Sequence, residues 1–144
     1  DLGLDLADQP GTGAAGGFGA GAIAFFGARL VRGVEAVMAA TDLAARAATV
    51  DWVITGEGCL DSQSLQGKVV SGILQVARRL GRPVAVLAGR VTLEREAWEA
   101  AGIRLVEAAA PPDLEPAVAM AEAATRLSAA AQRLAGRLAA AHPS

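Results

Sequence analysis

Val53-Ile54-Thr55-Gly56-Glu57-Gly58-Cys59-Leu60-Asp61-Ser62-Gln63-Ser64-Leu65-Gln66-Gly67-Lys68 is the stretch on which the reading of this chain turns. It opens in a short apolar run, residues 52–54, that reads as a buried strand ending at Thr55. Two glycines then flank Glu57, and Asp61, two serines and two glutamines lead to a Gly-Lys pair that opens a helix. Strand end, glycine-bearing loop and helix N-terminus is the place where open α/β sheets bind ligands. Lys68 is the only lysine among 13 basic residues. An ammonium is a compact point charge suited to phosphate oxygens, whereas arginine is a planar fork. A solvated first-turn lysine is the competing reading.

Working outward, the second special stretch is residues 9–17, Gln-Pro-Gly-Thr-Gly-Ala-Ala-Gly-Gly. Gly11, Gly13 and Gly16 match the dinucleotide pattern G-x-G-x-x-G, and Glu35 stands near the position of a ribose partner. That pattern requires a strand directly before Gly11, and Asp8-Gln9-Pro10 intervenes. A dinucleotide-binding α/β module therefore remains one alternative, and a non-catalytic ligand-binding or regulatory α/β domain is another. More generally, successive N–H groups in a glycine-rich turn form an anion nest. Residues 18–30 are expected to form a helix with Ile23, Phe26 and Leu30 on one face, and its N-terminus would favour an anion. The glycines can equally serve tight helix packing.

The remaining pattern alternates strands and helices. Short helices are expected over residues 34–38 and 43–48, with Thr41 or Asp42 as the cap between them. After a strand over 51–55, a helix is expected over 68–80, with Val69, Ile73, Val76 or Ala77, and Leu80 inward. Arg78, Arg79 and Arg82 sit at its C-terminal end, where the macrodipole favours cations. Strands follow over 84–88 and 103–106, separated by a helix capped by Thr92 with Trp98 packed inward. Pro116 begins a last helix reaching about residue 140, with Val118, Leu127, Leu134 and Leu138 buried. This order gives an α/β fold, a parallel sheet flanked by helices of Rossmann-like or flavodoxin-like type. Residues 1–49 read as a Gly-rich segment with helices belonging to a second lobe, and residues 50–144 as the sheet-bearing part.

Composition bounds the function. The chain has 144 residues, 53% hydrophobic and 19% charged, which is globular rather than disordered. Net charge is −2, basic residues are scattered and aromatics are 3%, which argues against a nucleic-acid surface. Residues 10–28 carry no charge and approach membrane-spanning length, but seven glycines and few large apolar side chains argue against insertion. Cys59 is the single cysteine, so no internal disulfide forms, and a reducing, cytoplasmic setting is expected. The chain begins at Asp1 without an initiator Met, as expected of a piece of a longer protein.

The chemistry narrows further. One histidine and one cysteine make neither a zinc cluster nor a nucleophilic relay. The Walker pattern fails, because Val69 follows Gly67-Lys68 and Ser62 stands where its first glycine belongs. Glu57 and Asp61 can hold magnesium or accept a proton from a substrate hydroxyl, while Lys68 neutralises phosphoryl or carboxylate oxygens. Ser62, Gln63 and Ser64 can hydrogen-bond a small polar substrate. Alternatively, Glu57 and Asp61 merely cap backbone N–H groups in a tight turn.

Three motifs in this order carry a resemblance: Pro10-Gly-Thr-Gly-Ala-Ala-Gly-Gly-Phe-Gly, Val53-Ile-Thr-Gly-Glu-Gly-x-Leu-Asp-x-Gln-Ser-x-x-Gly-Lys, and Pro83-Val-x-x-Leu-Ala-Gly. Together they closely resemble the glycerate kinase family, the type I bacterial enzymes, over essentially the whole chain. The resemblance implies a two-lobed α/β protein that uses ATP and Mg2+ to phosphorylate a hydroxyl of glycerate, giving phosphoglycerate. It also implies that this chain is the C-terminal portion. The family's Ser-Phe-Lys-Gly and Ala-Asp-Gly-Gly-Glu-Gly-Thr segments would come from the rest of the polypeptide, and the isolated chain would be inactive. Glu57, Asp61 and Lys68 would then be catalytic, with Asp61 the metal ligand. Thr55, Gly56, Gln63 and Ser64 would bind substrate or nucleotide, with Gly13, Gly16 and Gly17 contributed from the opposite lobe. Monomer and homodimer both stay open. Two positions depart from the family: Cys59 stands where a basic or small polar residue is common, and Ser64 replaces a usual threonine while keeping the hydroxyl.

Overall fold

The structure is a computed structural model that describes residues 5–6, 8–66 and 69–141. The Gly67-Lys68 pair, expected to open the helix after the special stretch, lies outside the described residues. The chain divides into two units, Asp1–Val37 and Met38–Ser144.

The smaller unit carries α1 (Ala14–Phe26) and the start of α2 (Gly33–Ala40). Residues 8–13 form turns, with Thr12 Oγ1 donating to the Gln9 carbonyl at 2.8 Å. No strand therefore precedes Gly11 directly, and the geometry a dinucleotide fingerprint needs is missing at that point. Ala15, Gly16 and Gly17 all take left-handed backbone angles, with φ of 50°, 67° and 91°. Two of the three being glycine makes this affordable, since a Cβ is disfavoured there. Helix α1 ends one turn earlier than its apolar spacing suggests, because Gly27 takes a left-handed cap at φ 62°. Phe26, expected inward, is 81% exposed, as Phe18 and Phe25 largely are.

The larger unit holds α3 (Leu43–Ala48), β1 (Val53–Leu60), α4 (Val69–Arg79), β2 (Val84–Val91), α5 (Arg95–Ala100), β3 (Ile103–Ala108), α6 (Pro116–Ala121) and α7 (Ala123–Ala140). The strands form one parallel sheet in the order β1-β2-β3. This is the expected α/β architecture. Its core is built from Val53, Leu60, Val70, Leu74, Ala77, Val84, Val86, Trp98 and Ile103. Helix α4 is rotated about one residue from the expected face: Val70, Leu74 and Ala77 are buried, while Val69 is 53% exposed.

Two strands run further than their apolar runs. β1 continues from Thr55 through Gly56, Glu57, Gly58 and Cys59 to Leu60, because β2 pairs with it as far as Leu60–Val91. β2 likewise passes Ala88 to reach Val91. The strands approach closely here: a Cβ on Gly89 would lie 2.5 Å from the Gly58 carbonyl oxygen. Thr92 does not cap α5; Glu94 holds the cap position, and the Thr92 N–H donates to the Leu60 carbonyl at 3.0 Å.

The arginines at the end of α4 tie neighbouring helix ends together. Arg78 Nη2 donates to the Ala101 carbonyl at 3.2 Å and Arg82 Nη2 to the Ala48 carbonyl at 2.7 Å. These bonds satisfy carbonyls that a helix leaves unpaired at its C-terminus. The expected last helix is two, broken at Glu122. Ala130 and Leu134 carry the buried face of α7, whereas Val118 and Leu127 are exposed. Arg133 and Arg137 hold β3 beneath α7 through Glu107, at 2.6 and 3.1 Å. No helix among the described residues is long and apolar enough to cross a membrane.

Candidate active site

The special stretch separates into a strand half and a turn half. In the strand half, Thr55, Gly56 and Glu57 pair with Val86, Leu87 and Ala88. Thr55 and Glu57 are half-buried and Gly56 is exposed. A Cβ on Gly56 would sit 2.6 Å from the Leu87 carbonyl oxygen, so close pairing with β2 demands glycine there. Glu57 is thus a strand residue and not the loop carboxylate its glycine neighbours suggest.

The turn half is a capped 3-10 turn over Ser62–Leu65. Asp61, in extended conformation, accepts the Gln63 N–H at 2.8 Å and the Ser64 N–H at 3.0 Å through Oδ1. Ser64 Oγ in return accepts the Asp61 N–H at 3.0 Å, the reciprocal arrangement of a capping box. Ser64 Oγ lies 3.2 Å from both Asp61 Oδ1 and the Cys59 carbonyl oxygen, the two acceptors open to its single proton. Ser64 is fully buried and Gln63 is exposed. Asp61 Oδ1 and the Ser64 hydroxyl are therefore engaged in shaping the turn, whereas the Gln63 side chain stands at the surface.

Glu57 is placed differently. Its Oε1 is buried and has no hydrogen-bond partner among the described residues. An unpaired buried acceptor costs roughly 1–3 kcal/mol, more when charged, so it marks a place where a donor is wanted. Glu57 lines a cavity of about 490 Å3 at the carboxyl ends of the strands. Its strand walls are Glu57, Gly58, Cys59, Gly89 and Arg90, continued by Ala109 and Ala110 beyond β3. The Ala109 and Ala110 N–H groups donate to the Ala88 and Gly89 carbonyls, which holds that wall against β2. Its roof comes from α6 and the start of α7, through Pro116, Ala119, Met120, Ala123, Arg126 and Leu127. This is why Leu127, expected in the core, is 47% exposed: it faces a cavity instead. Glu57 also lines a shallower groove with Ile54, Thr55, Gly56 and Leu87.

The two cations in the cavity wall are already engaged. Arg90 Nη2 donates to the Leu114 carbonyl at 2.7 Å, and Arg126 pairs with Glu122 at 2.7 Å. Exposed Cys59 has its sulfur 3.9 Å from Thr92 Oγ1. Glu115 caps α6 by accepting the Val118 N–H at 3.0 Å, and N–H bonds from Ala117 and Val118 hold its carboxyl below the usual glutamate value. Among the described residues, no group of three or more His, Cys, Asp or Glu side chains comes together as a metal site.

The α6–α7 roof escaped the sequence reading. Met120, Ala119 and Arg126 lie in an alanine-rich segment that reads as ordinary amphipathic helix, and only contact with the sheet edge singles them out. Gly89 did carry a signal, as the last residue of the Pro83 motif. Gly13, Gly16 and Gly17 lie in the smaller unit.

Comparison with known proteins agrees with the motifs. The family model described as the glycerate kinase family matches residues 1–139. An uncharacterised protein of Mycobacterium bovis is 41% identical over 142 residues, covering 99% of this chain and 37% of its own length. The glycerate 2-kinase of Escherichia coli is 47% identical over 91 residues, covering 63% of this chain and 24% of its own. A crystal structure from Salmonella typhimurium LT2, provisionally named glycerate kinase 2, superimposes with a TM-score of 0.65 at 38% identity, covering 96% of this chain and 36% of that one. The match thus spans between about a quarter and little more than a third of the length of these relatives. Its motifs, its parallel sheet and the family match over nearly its whole length agree: the chain belongs to the glycerate kinase family.

Proposed function

We propose that the complete protein carrying this chain is a glycerate kinase, transferring the γ-phosphate of ATP to a hydroxyl of glycerate to give phosphoglycerate. The observation that carries the reading is the placement of the longest family motif. It runs along the carboxyl end of β1 and into the capped turn, beside a cavity with a carboxylate oxygen that has no partner among the described residues. Ligands of open α/β sheets gather at that edge.

In this reading, Glu57, Asp61 and Lys68 form the charged set of one wall of the cleft. Lys68 neutralises phosphoryl oxygens, and phosphoryl transfer asks mainly for such positioning and charge neutralisation. Mg2+ is held by Asp61 together with ATP phosphates, since magnesium commonly takes one or two carboxylates and substrate oxygens rather than a full protein cage. The fit is partial: Asp61 Oδ1 already accepts the Gln63 and Ser64 N–H groups, so a metal bound there also needs ligands from outside this chain. Thr55, Gly56 and Gln63 shape the substrate and nucleotide wall, the buried Ser64 supports it by holding the Asp61 turn, and Gly13, Gly16 and Gly17 add backbone donors. The rest of the polypeptide supplies the opposing residues. The setting is cytoplasmic, which an exposed free thiol at Cys59 supports. Incubating the complete protein with glycerate, magnesium and γ-labelled ATP tests the reading. Labelled phosphoglycerate is expected; its absence with folded protein would remove the assignment.

A further inference from the structure

We infer that the cavity beneath α6 and α7 seats a nucleobase bearing an exocyclic amino group, and that Glu57 Oε1 accepts the hydrogen bond of that group. The inference rests on the kinase reading and says which part of the nucleotide this chain holds.

Size comes first. About 490 Å3 lies within the range of small-molecule pockets, which are mostly apolar with a few placed polar groups. The lining follows that pattern: Ala109, Ala119, Met120 and Leu127 give apolar surface, and glycines bring strand backbone to the wall. Glycerate fits it poorly. Three carbons bearing a carboxylate and two hydroxyls need several converging donors and cations, whereas most of this wall is alanine, glycine, methionine and leucine and one of its two arginines is already paired with a carboxylate. Its carboxylate would also meet the like charge of Glu57. The polyphosphate chain meets the same objection more strongly. What remains is a flat, weakly polar group with one N–H donor for the buried acceptor that lacks a partner among the described residues. The amino group of adenine supplies that donor. The strand that walls the cavity continues through Leu60 into the Asp61 turn, so one segment serves base and chemistry in sequence. On this assignment Glu57 reads the base, and Asp61 with Lys68 serves the transfer.

The test measures equilibrium binding to the complete protein, with adenosine and with purine riboside, which lacks the amino group. The unmodified protein is expected to bind adenosine at least about tenfold more tightly, the scale of one hydrogen bond to a charged group. In Glu57→Met the two ligands should bind alike. Ala119→Phe, which fills the cavity from α6, should raise the KM for ATP about tenfold or more and leave the KM for glycerate unchanged. Equal binding of both nucleosides by the unmodified protein would overturn the inference, and so would failure of adenosine to bind. A fall in kcat for Glu57→Met with unchanged ATP KM would place Glu57 at the chemistry instead and overturn it too. A rise in glycerate KM for Ala119→Phe would assign the cavity to the acid. If adenosine discrimination holds but no phosphoglycerate forms, the kinase reading fails and the base pocket stands.

Discussion

Asp61 and Ser64 hold each other in place: Asp61 Oδ1 accepts the Ser64 N–H at 3.0 Å, and Ser64 Oγ accepts the Asp61 N–H at 3.0 Å. The four residues 61–64 are closed into a turn by two reciprocal bonds, at the point where the strand hands over to the motif's polar end.

The proposed kinase site gives Asp61 a second role beside the cap, and a pair of variants separates the two. Asparagine caps as well as aspartate, while alanine costs about 1 kcal/mol, in a range of roughly 0.5–2. Asp61→Ala should lower the stability of the complete protein on that scale in urea denaturation, and Asp61→Asn should not. Both should cut turnover by orders of magnitude, because both remove the charge. Normal turnover in Asp61→Asn would confine the residue to the cap.

The close approach of β1 and β2 gives a second expectation. Gly89→Ala places a methyl 2.5 Å from the Gly58 carbonyl oxygen, a backbone atom held by strand pairing. Overpacking of this kind costs typically about 1–3 kcal/mol. A lowered denaturation midpoint with raised KM for ATP is expected, since Gly58 and Gly89 both line the cavity. Unchanged midpoint and kinetics would show that the strands separate freely there.

Much of this fold was legible from apolar runs and their punctuation. Val84 and Val86, Ile103 and Trp98 announced strands and an inward helix face, and all are buried. The extension of β1 to Leu60 was not legible, because Gly56, Glu57 and Gly58 have poor strand propensity alone and are held by pairing with β2. The same override turned the paired carboxylates of a supposed loop into one strand residue and one cap. Capping at Asp61 was readable as an alternative, since aspartate three residues before serine is a turn-forming pattern. The cavity was not readable, because its roof is ordinary alanine-rich helix placed by the chain's return over the sheet.

The cap of α6 should respond to acid. Glu115 is held below its usual value by the Ala117 and Val118 N–H groups. A depressed carboxylate stabilises the fold above its unfolded pKa, and that contribution is lost as pH falls through the lower folded value. Glu115→Gln should thus differ from the unmodified protein at neutral pH and converge with it in strong acid, followed by thermal denaturation across pH. A constant difference down to strong acid would mean that the charge is not what the helix uses. Because α6 roofs the cavity, the neutral-pH difference should also appear as weaker adenosine binding.

Lys68, the only lysine of the chain, is expected to act on phosphoryl oxygens. Lys68→Ala should cut turnover by orders of magnitude, and Lys68→Arg should restore little of it, since a planar fork does not replace a point charge. Full rescue by arginine would reduce the requirement to charge alone.

The most direct measurement follows the label from γ-labelled ATP into product, with the complete protein, glycerate and magnesium. The account predicts labelled phosphoglycerate that vanishes when magnesium is chelated and when Lys68 and Asp61 are replaced by alanine. Folded, ATP-binding protein that leaves glycerate unlabelled, or labelling that persists in both variants, would contradict it.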